Sequence, residues 1–411
     1  MMSKKSPQLR FEGFTDDWEE RKLGDISYKV KEKNKTGEFT ETLTNSAEYG
    51  IINQRDFFDK DISNAKNLTG YYVVKNDDFV YNPRISNFAP VGPIKRNKLG
   101  RTGVMSPLYY VFRTHDIDKN YFEKYFDTVY WHRFMELNGD SGARADRFAI
   151  KVSVFVEMPI PYPTMDEQQK IGSFFKQLDD TIALHQRKLD LLKEQKKGYL
   201  QKMFPKNGAK VPELRFAGFA DDWEDRKLSS IAERVTRKNK NNESTLPLTI
   251  SAQDGLVDQN DYFNKQVASR DVTGYFLVKN GEFAYNKSYS NGYPWGAIKR
   301  LDKYEMGVLS TLYIVFKPTA INSQFLVSYY ETTRWYREVS KNAAEGARNH
   351  GLLNISPNDF FNTLLTIPKS AEEQQQIGSF FKQLDDTIAL HQRKLDLLKE
   401  QKKGFLQKMF V

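Results

Sequence analysis

The fold class this sequence predicts is α/β (α+β): a pseudo-two-fold tandem repeat of two globular units separated by a long antiparallel two-helix coiled coil. Three observations predict it. Residues 171–204 return at 377–410 with one change in 34 positions, Tyr199 becoming Phe405. The segments before each copy share a frame, TGYYVVKNDDFVYNPRISN (69–87) against TGYFLVKNGEFAYNKSYSN (273–291) matching at 11 of 19 positions. Each copy opens on helix-start signals and carries apolar residues at helical spacing.

The repeated stretch is read as helix from its period. Ile171, Phe174, Phe175, Leu178, Ile182, Leu189, Leu192, Tyr199 and Met203 recur every three or four residues on one face. Thr164-Met-Asp-Glu167 and Ser370-Ala-Glu-Glu373 are capping boxes, and Pro205 stops the first copy. Each helix is then roughly 39 residues, about 58 Å, long. A stripe of that length needs cover, and the other copy supplies it as a coiled coil.

The intervening units are read from their own signals. Residues 71–81 and 275–285 are strand–turn–strand, with Lys-Asn-Asp-Asp and Lys-Asn-Gly-Glu as turns. Leu108–Phe112 and Leu312–Phe316 are buried strands; Asn120–Leu137 and Ser323–Val339 are aromatic-rich helices. The expected divisions are a unit at 1–163, a helix at 164–204, a linker at 205–212, a second unit at 213–369 and a second helix at 370–411. A compact unit holds its entrance and exit close together. The second unit starts from the end of one helix and feeds the start of the other, so the helices run antiparallel with a unit at each end. Phe410 then lies near Pro7, and a cyclic permutation is tolerated.

Composition excludes several classes. With 29 Phe and 22 Tyr the chain is not disordered. The absence of cysteine excludes disulfides and thiolate metal sites. No apolar run of about 18 residues exists and the start lacks a signal-peptide core, so a soluble, cytoplasmic protein is expected. The net charge of +9 suits a polyanion partner without demanding one.

Catalytic motifs are missing. There is no phosphate-binding G-x-x-x-x-G-K-[ST] and no glycine-rich dinucleotide turn, and the five histidines form no ligand spacing. Asn82-Pro83-Arg84 lacks the second proline and the aromatic of a base-modifying Asn-Pro-Pro-aromatic motif, and the second unit has Asn286-Lys287 there. No catalytic residue, metal ligand or cofactor of this chain is expected.

The binding signal is distributed over matching loops. The first unit presents Arg84, Ser86, Asn87, Lys95, Arg96, Arg101, Arg144 and Arg147. The second presents Lys287, Ser288, Tyr289, Asn291, Lys299, Arg300, Arg348 and Asn349. Arg and Lys contact phosphates or read guanine, and Asn reads adenine. Trp18 and Trp223, each in an Asp-Asp-Trp-x-x-Arg-Lys-Leu entrance, are read as packing anchors.

With its Trp–Lys–Leu entrances and its duplicated helix opening on D/E-E-Q-Q-x-I-G, the chain resembles the specificity subunit of a type I restriction–modification system. The resemblance covers about 7–410. It implies two target recognition domains, each reading one half of a split, asymmetric site in double-stranded DNA, with the helical pair setting the gap. It further implies two methyltransferase subunits carrying S-adenosylmethionine, and motor-nuclease subunits using ATP and Mg. The other reading of the residues is a coiled-coil scaffold without DNA readout.

Overall fold

The computed structural model describes residues 6–57, 68–140, 146–206, 208–251, 253–288, 292–343 and 353–411. The chain forms two compact units, one of Met1–Gln186 with Arg393–Val411, the other of Arg187–Gln392. Each unit thus contains the start of one long helix, Met165–Lys202 or Ala371–Lys408, and the end of the other.

In the first unit an antiparallel four-stranded sheet runs in the order Ser27–Lys29, Tyr110–Thr114, Phe79–Tyr81, Ile94–Arg96. The second unit repeats it as Ala232–Val235, Ile314–Pro318, Phe283–Asn286, Ala297–Arg300. Alternate residues of a strand face opposite sides. Phe79, Tyr81 and Phe112 pack into the main helical core, while Val80 and Val111 pack into a smaller core with Leu43, Ile51, Val74 and Met105. Phe283, Tyr285 and Phe316 divide from Ala284 and Val315 in the same way. Both faces being covered explains strands that read as unbroken apolar runs.

Three expectations need correction. The strands flanking the Lys75–Asp78 turn do not pair with each other: Tyr72–Val74 joins Gly103–Met105, and Phe79–Tyr81 enters the four-stranded sheet. Buried Asp78 sets this divergence by accepting from Lys75 N at 2.8 Å and from Arg113 at 2.6 and 2.9 Å. Glu282 does the same with Lys279 N and Arg237. Second, each aromatic-rich helix is two: Lys119–Tyr125 and His132–Asn138, then Ser323–Glu331 and Tyr336–Asn342. The Thr128 and Thr332 hydroxyls donate to Tyr125 O and Tyr329 O, each at 2.6 Å, and the helical runs break there. Third, the buried strands start at Tyr110 and Ile314, leaving Leu108 and Leu312 exposed.

The capping boxes form only in half. Thr164 and Ser370 hydroxyls accept from Glu167 N and Glu373 N, at 3.4 and 3.3 Å. The carboxylates turn away from the caps. Glu167 accepts from Arg10 at 2.6 and 2.8 Å and from Trp18 Nε1 at 3.2 Å, and Glu373 accepts from Arg215 and Trp223 at the same distances. Both acids are buried, so the bidentate guanidinium compensates a charge that would otherwise be costly. Trp18 and Trp223 are packing anchors, as their setting predicts.

The residues just before each entrance motif dock on the end of one long helix and the start of the other. Leu9 N donates to Lys408 O at 2.8 Å, and Leu214 N to Lys202 O at 2.9 Å. Phe11 meets Phe174 edge-on, and Phe216 meets Phe380 likewise. The helix ends run antiparallel within each unit, Phe405 against Phe174 and Lys402 against Asp179 in one, Tyr199 against Phe380 and Lys196 against Asp385 in the other. The predicted stripe is buried at Ile171, Phe175, Leu189, Leu192 and Met203, and half-buried at Leu178 and Ile182.

Candidate nucleic-acid interface

In the first unit the loop after Phe79–Tyr81 is built on Asn82. Its Oδ1 accepts from Arg84 N at 3.0 Å, and its Nδ2 donates to Asn45 O at 2.9 Å. Gly92 closes the loop with φ +82°, where a Cβ would stand 2.1 Å from Asn82 O; only glycine fits. The segment after 145 lies alongside: Arg84 bridges Arg147, Ile85 N donates to Asp146 O at 2.9 Å and Phe148 N to Pro83 O at 2.7 Å. The fold therefore brings together Arg84 and Arg147, about sixty residues apart in the chain. Arg84, Ser86 and Asn87 are exposed, and no side-chain partner engages Arg84 or Asn87 among the described residues.

The second unit repeats the scaffold with other side chains. Asn286 Oδ1 accepts from Ser288 N at 3.0 Å, Gly296 has φ +80° against Asn286 O, and Leu353 N donates to Lys287 O at 3.0 Å. Ser288 thus stands where the first unit has Arg84. Lys287 is half-buried, its Nζ donates to Ile355 O at 3.5 Å, and burial pulls its ammonium pKa down. Arg144, Tyr289, Asn291, Arg348 and Asn349 lie outside the described residues.

The remaining basic candidates are engaged within their units. Arg96 is 10% exposed and bound to Glu123 and Asn120, each at 2.7 Å, and to Asp77. Arg300 is 15% exposed and bound to Asp302, Ser323 and Gln324. Arg101 pairs bidentately with Glu41 yet stays half-exposed, and Lys95 pairs with Asp127 at 2.8 Å. Burial is the main influence on Lys299 and lowers its pKa. Arg96 and Arg300 therefore fasten a strand to the following helix with their own charge neutralised.

Each unit also holds a groove that the loops alone do not reveal. In the first it is about 950 Å³, walled by Tyr49, Phe88, Lys95 and Tyr130 and by Lys399 and Lys403 of the second long helix. In the second it is about 1130 Å³, walled by Tyr293, Lys299 and Arg334 and by Lys193 and Lys197 of the first long helix. Tyr130 Oη and Arg334 Nη2 close the same corner, donating to Gln407 O at 2.6 Å and Gln201 O at 2.9 Å. The exposed helix lysines belong to the repeated Lys-Glu-Gln-Lys-Lys, which by sequence reads as a solvated or partner-facing flank. Basic side chains interleaved with aromatics along a groove suit a nucleic-acid backbone. Among the described residues no group of three His, Cys, Asp or Glu side chains is placed to hold a metal ion.

The comparisons agree with this architecture. The family model for the type I restriction modification DNA specificity domain matches residues 15–194 and again 220–400, and the chain belongs to that family. It is 22% identical over 276 residues to the type I restriction enzyme MjaVIII specificity subunit of Methanocaldococcus jannaschii, covering 62% of this chain and 61% of that protein. The match thus spans less than two thirds of that relative's length. The crystal structure of a type I restriction–modification system S subunit from M. genitalium aligns with a TM-score of 0.59 at 13% identity, over 99% of both chains. That likeness shows the fold. The family is one of DNA specificity proteins rather than catalysts.

Proposed function

We propose that this chain directs a type I restriction–modification complex to its site, each unit reading one half of a bipartite, asymmetric sequence in double-stranded DNA. The observation that carries the reading is one loop scaffold built twice and furnished differently: Asn82 and Asn286 hold it, while Arg84 in one unit is Ser288 in the other. Unlike side chains on one scaffold read unlike half-sites. The near-identical long helices offer two equivalent surfaces for two methyltransferase subunits, which bring S-adenosylmethionine and methylate adenine. Motor-nuclease subunits with ATP and Mg complete an ATP-dependent endonuclease. The chain itself supplies no catalytic group, and its place of work is the cytoplasm. No helix of the described residues is long and apolar enough to cross a membrane.

The test is methylome sequencing of a host given this chain and a compatible methyltransferase subunit. A split motif with unlike halves and adenine methylation on both strands is the expected result, and exchanging residues 24–163 changes one half alone. A stable complex that modifies nothing would instead favour a scaffold without DNA readout.

A further inference from the structure

Phe88 is the most exposed large apolar side chain among the described residues, at 79%. The backbone that carries it is nevertheless held. Phe88 caps a turn closed by two backbone hydrogen bonds, Ser86 N to Ala89 O at 3.1 Å and Ala89 N to Ser86 O at 3.0 Å. Beneath the turn Ala89 is buried and accepts from Gly92 N at 3.1 Å, and Ile85 is tied to Asp146. Among the described residues no other ring touches it. The groups around the apex are polar: Asn87 beside the ring, Ser86 before it, and Arg84 with Arg147 at the base.

A rigid turn that holds an aromatic ring in water, ringed by groups suited to phosphates and base edges, matches the apolar wedges that enter a duplex between stacked base pairs. Phe88 also borders the groove, so a protein segment seated there is the competing occupant. The second unit decides between them. Aligning Ser-Asn-Phe-Ala-Pro (86–90) with Ser-Asn-Gly-Tyr-Pro (290–294) puts Gly292, with φ +81°, at the apex position, and Tyr293 one place on in the wall of its groove. Both grooves keep an aromatic wall, so a protein partner common to both units has no need of the apex ring. A partner that differs between the units does, and the two halves of the DNA site are such a partner.

We infer that Phe88 is a wedge that opens one base step in the half-site bound by the first unit, and that the second unit binds its half-site without opening a step. This rests on the DNA-reading function proposed above. The opened step is a pyrimidine–purine step, the kind that unstacks most readily.

The experiment uses the full chain in complex with its methyltransferase subunit, and duplexes of the methylome-defined site carrying 2-aminopurine singly at each position of both halves. Apart from the target adenines, which the methyltransferase subunits extrude in both halves, wild-type complex raises the fluorescence at one step of the first unit's half-site and nowhere in the other half. Phe88→Ala abolishes the rise and weakens binding by about 5- to 150-fold, the range of one lost base–aromatic contact. Its melting temperature is unchanged, and Phe88→Trp keeps the rise. The wedge is overturned if that rise persists in Phe88→Ala, or if no position besides the target adenines brightens while site-specific binding is intact. It is equally overturned if Phe88→Ala releases the methyltransferase subunit before it affects DNA, which would make the ring a protein contact. Loss of the underlying reading looks different: the wild-type complex would then show no preference for the site at all.

Discussion

Asp179 and Asp385 occupy the same place in two helices that differ at one residue in 34, yet their carboxyls are driven in opposite directions. Burial pushes both up. At Asp179 this is outweighed by the charges of Lys124 at 2.7 Å and Lys402 at 2.7 Å, and the carboxyl ends below the usual carboxylate range. In the second unit Ser328 stands in place of Lys124, and the nearby charge of Glu331 adds to burial, so Asp385 ends above that range despite its pair with Lys196. A near-identical stretch of helix is thus titrated differently by the unit it packs on.

The pH consequence follows from the two signs. Burial also raises Asp127, but Lys124 and Lys95 outweigh it and leave it depressed. Asp127 and Asp179 therefore stabilise the first unit above the unfolded carboxylate value of about 3.9, and that stability is lost as pH falls through their folded values. Asp385 has the reverse sign: ionising it costs stability as pH rises from about 3.9 through its raised value. Asp179→Asn is expected to lower stability at neutral pH by about 1–3 kcal/mol, while Asp385→Asn is neutral or stabilising. Melting curves of both variants between about pH 3 and pH 8 check this, and equal losses would contradict it.

Glycines within one helix should respond oppositely to alanine. A Cβ on Gly172 would lie 2.5 Å from Asp118 Oδ1 and 2.8 Å from Tyr121 N, where the helix meets Lys119–Tyr125. Gly198 has nothing within 4 Å. Alanine improves helix propensity by about 1 kcal/mol at either site, but at Gly172 the overlap costs about 1–3 kcal/mol. Gly172→Ala should therefore destabilise and Gly198→Ala stabilise, as read by urea midpoints. Gly378, with a Cβ 2.6 Å from Phe325 N, should follow Gly172.

Glu167→Gln should cost about 2–4 kcal/mol, because it leaves the largely buried Arg10 guanidinium without its carboxylate. Chemical denaturation measures the loss, and Glu373→Gln at Arg215 should show a similar one.

Among the basic residues, exposure separates the proposed readers from the fasteners. Arg84→Ala should reduce methylation through the first half-site by about 10- to 100-fold with the melting temperature unchanged. Arg96→Ala, losing Glu123, should lower the melting temperature instead. Lys399→Ala and Lys403→Ala should each reduce the slope of log binding constant against log salt by about 1 without altering sequence preference. Methylation assays and salt titrations distinguish these outcomes.

Periodicity and repetition, in the sequence alone, predicted the two units and the long helices; the closeness of a unit's entrance and exit predicted their antiparallel sense, and the resemblance carried by the entrance and helix-start motifs pointed to the family. Repeats and the spacing of apolar residues are written along the chain and report which face is buried. The residues also placed Trp18 and Trp223 as anchors, and the matching loops that carry Arg84, Ser86 and Asn87 and Lys287, Ser288, Tyr289 and Asn291 as candidate readers. What they could not supply was the choice of partner. Glu167 looked like a cap for its own helix, but it accepts instead from Arg10 and Trp18, remote in sequence. Arg96 and Arg300 looked like free cations until the fold set acids and amides beside them. The strands around Lys75–Asp78 looked paired, but buried Asp78 sends them to different sheets. The helix lysines became groove walls only when each helix end packed on a globular unit. Local pattern determines which residues must be buried; which charge meets which depends on contacts between distant segments, and only the tertiary structure decides those.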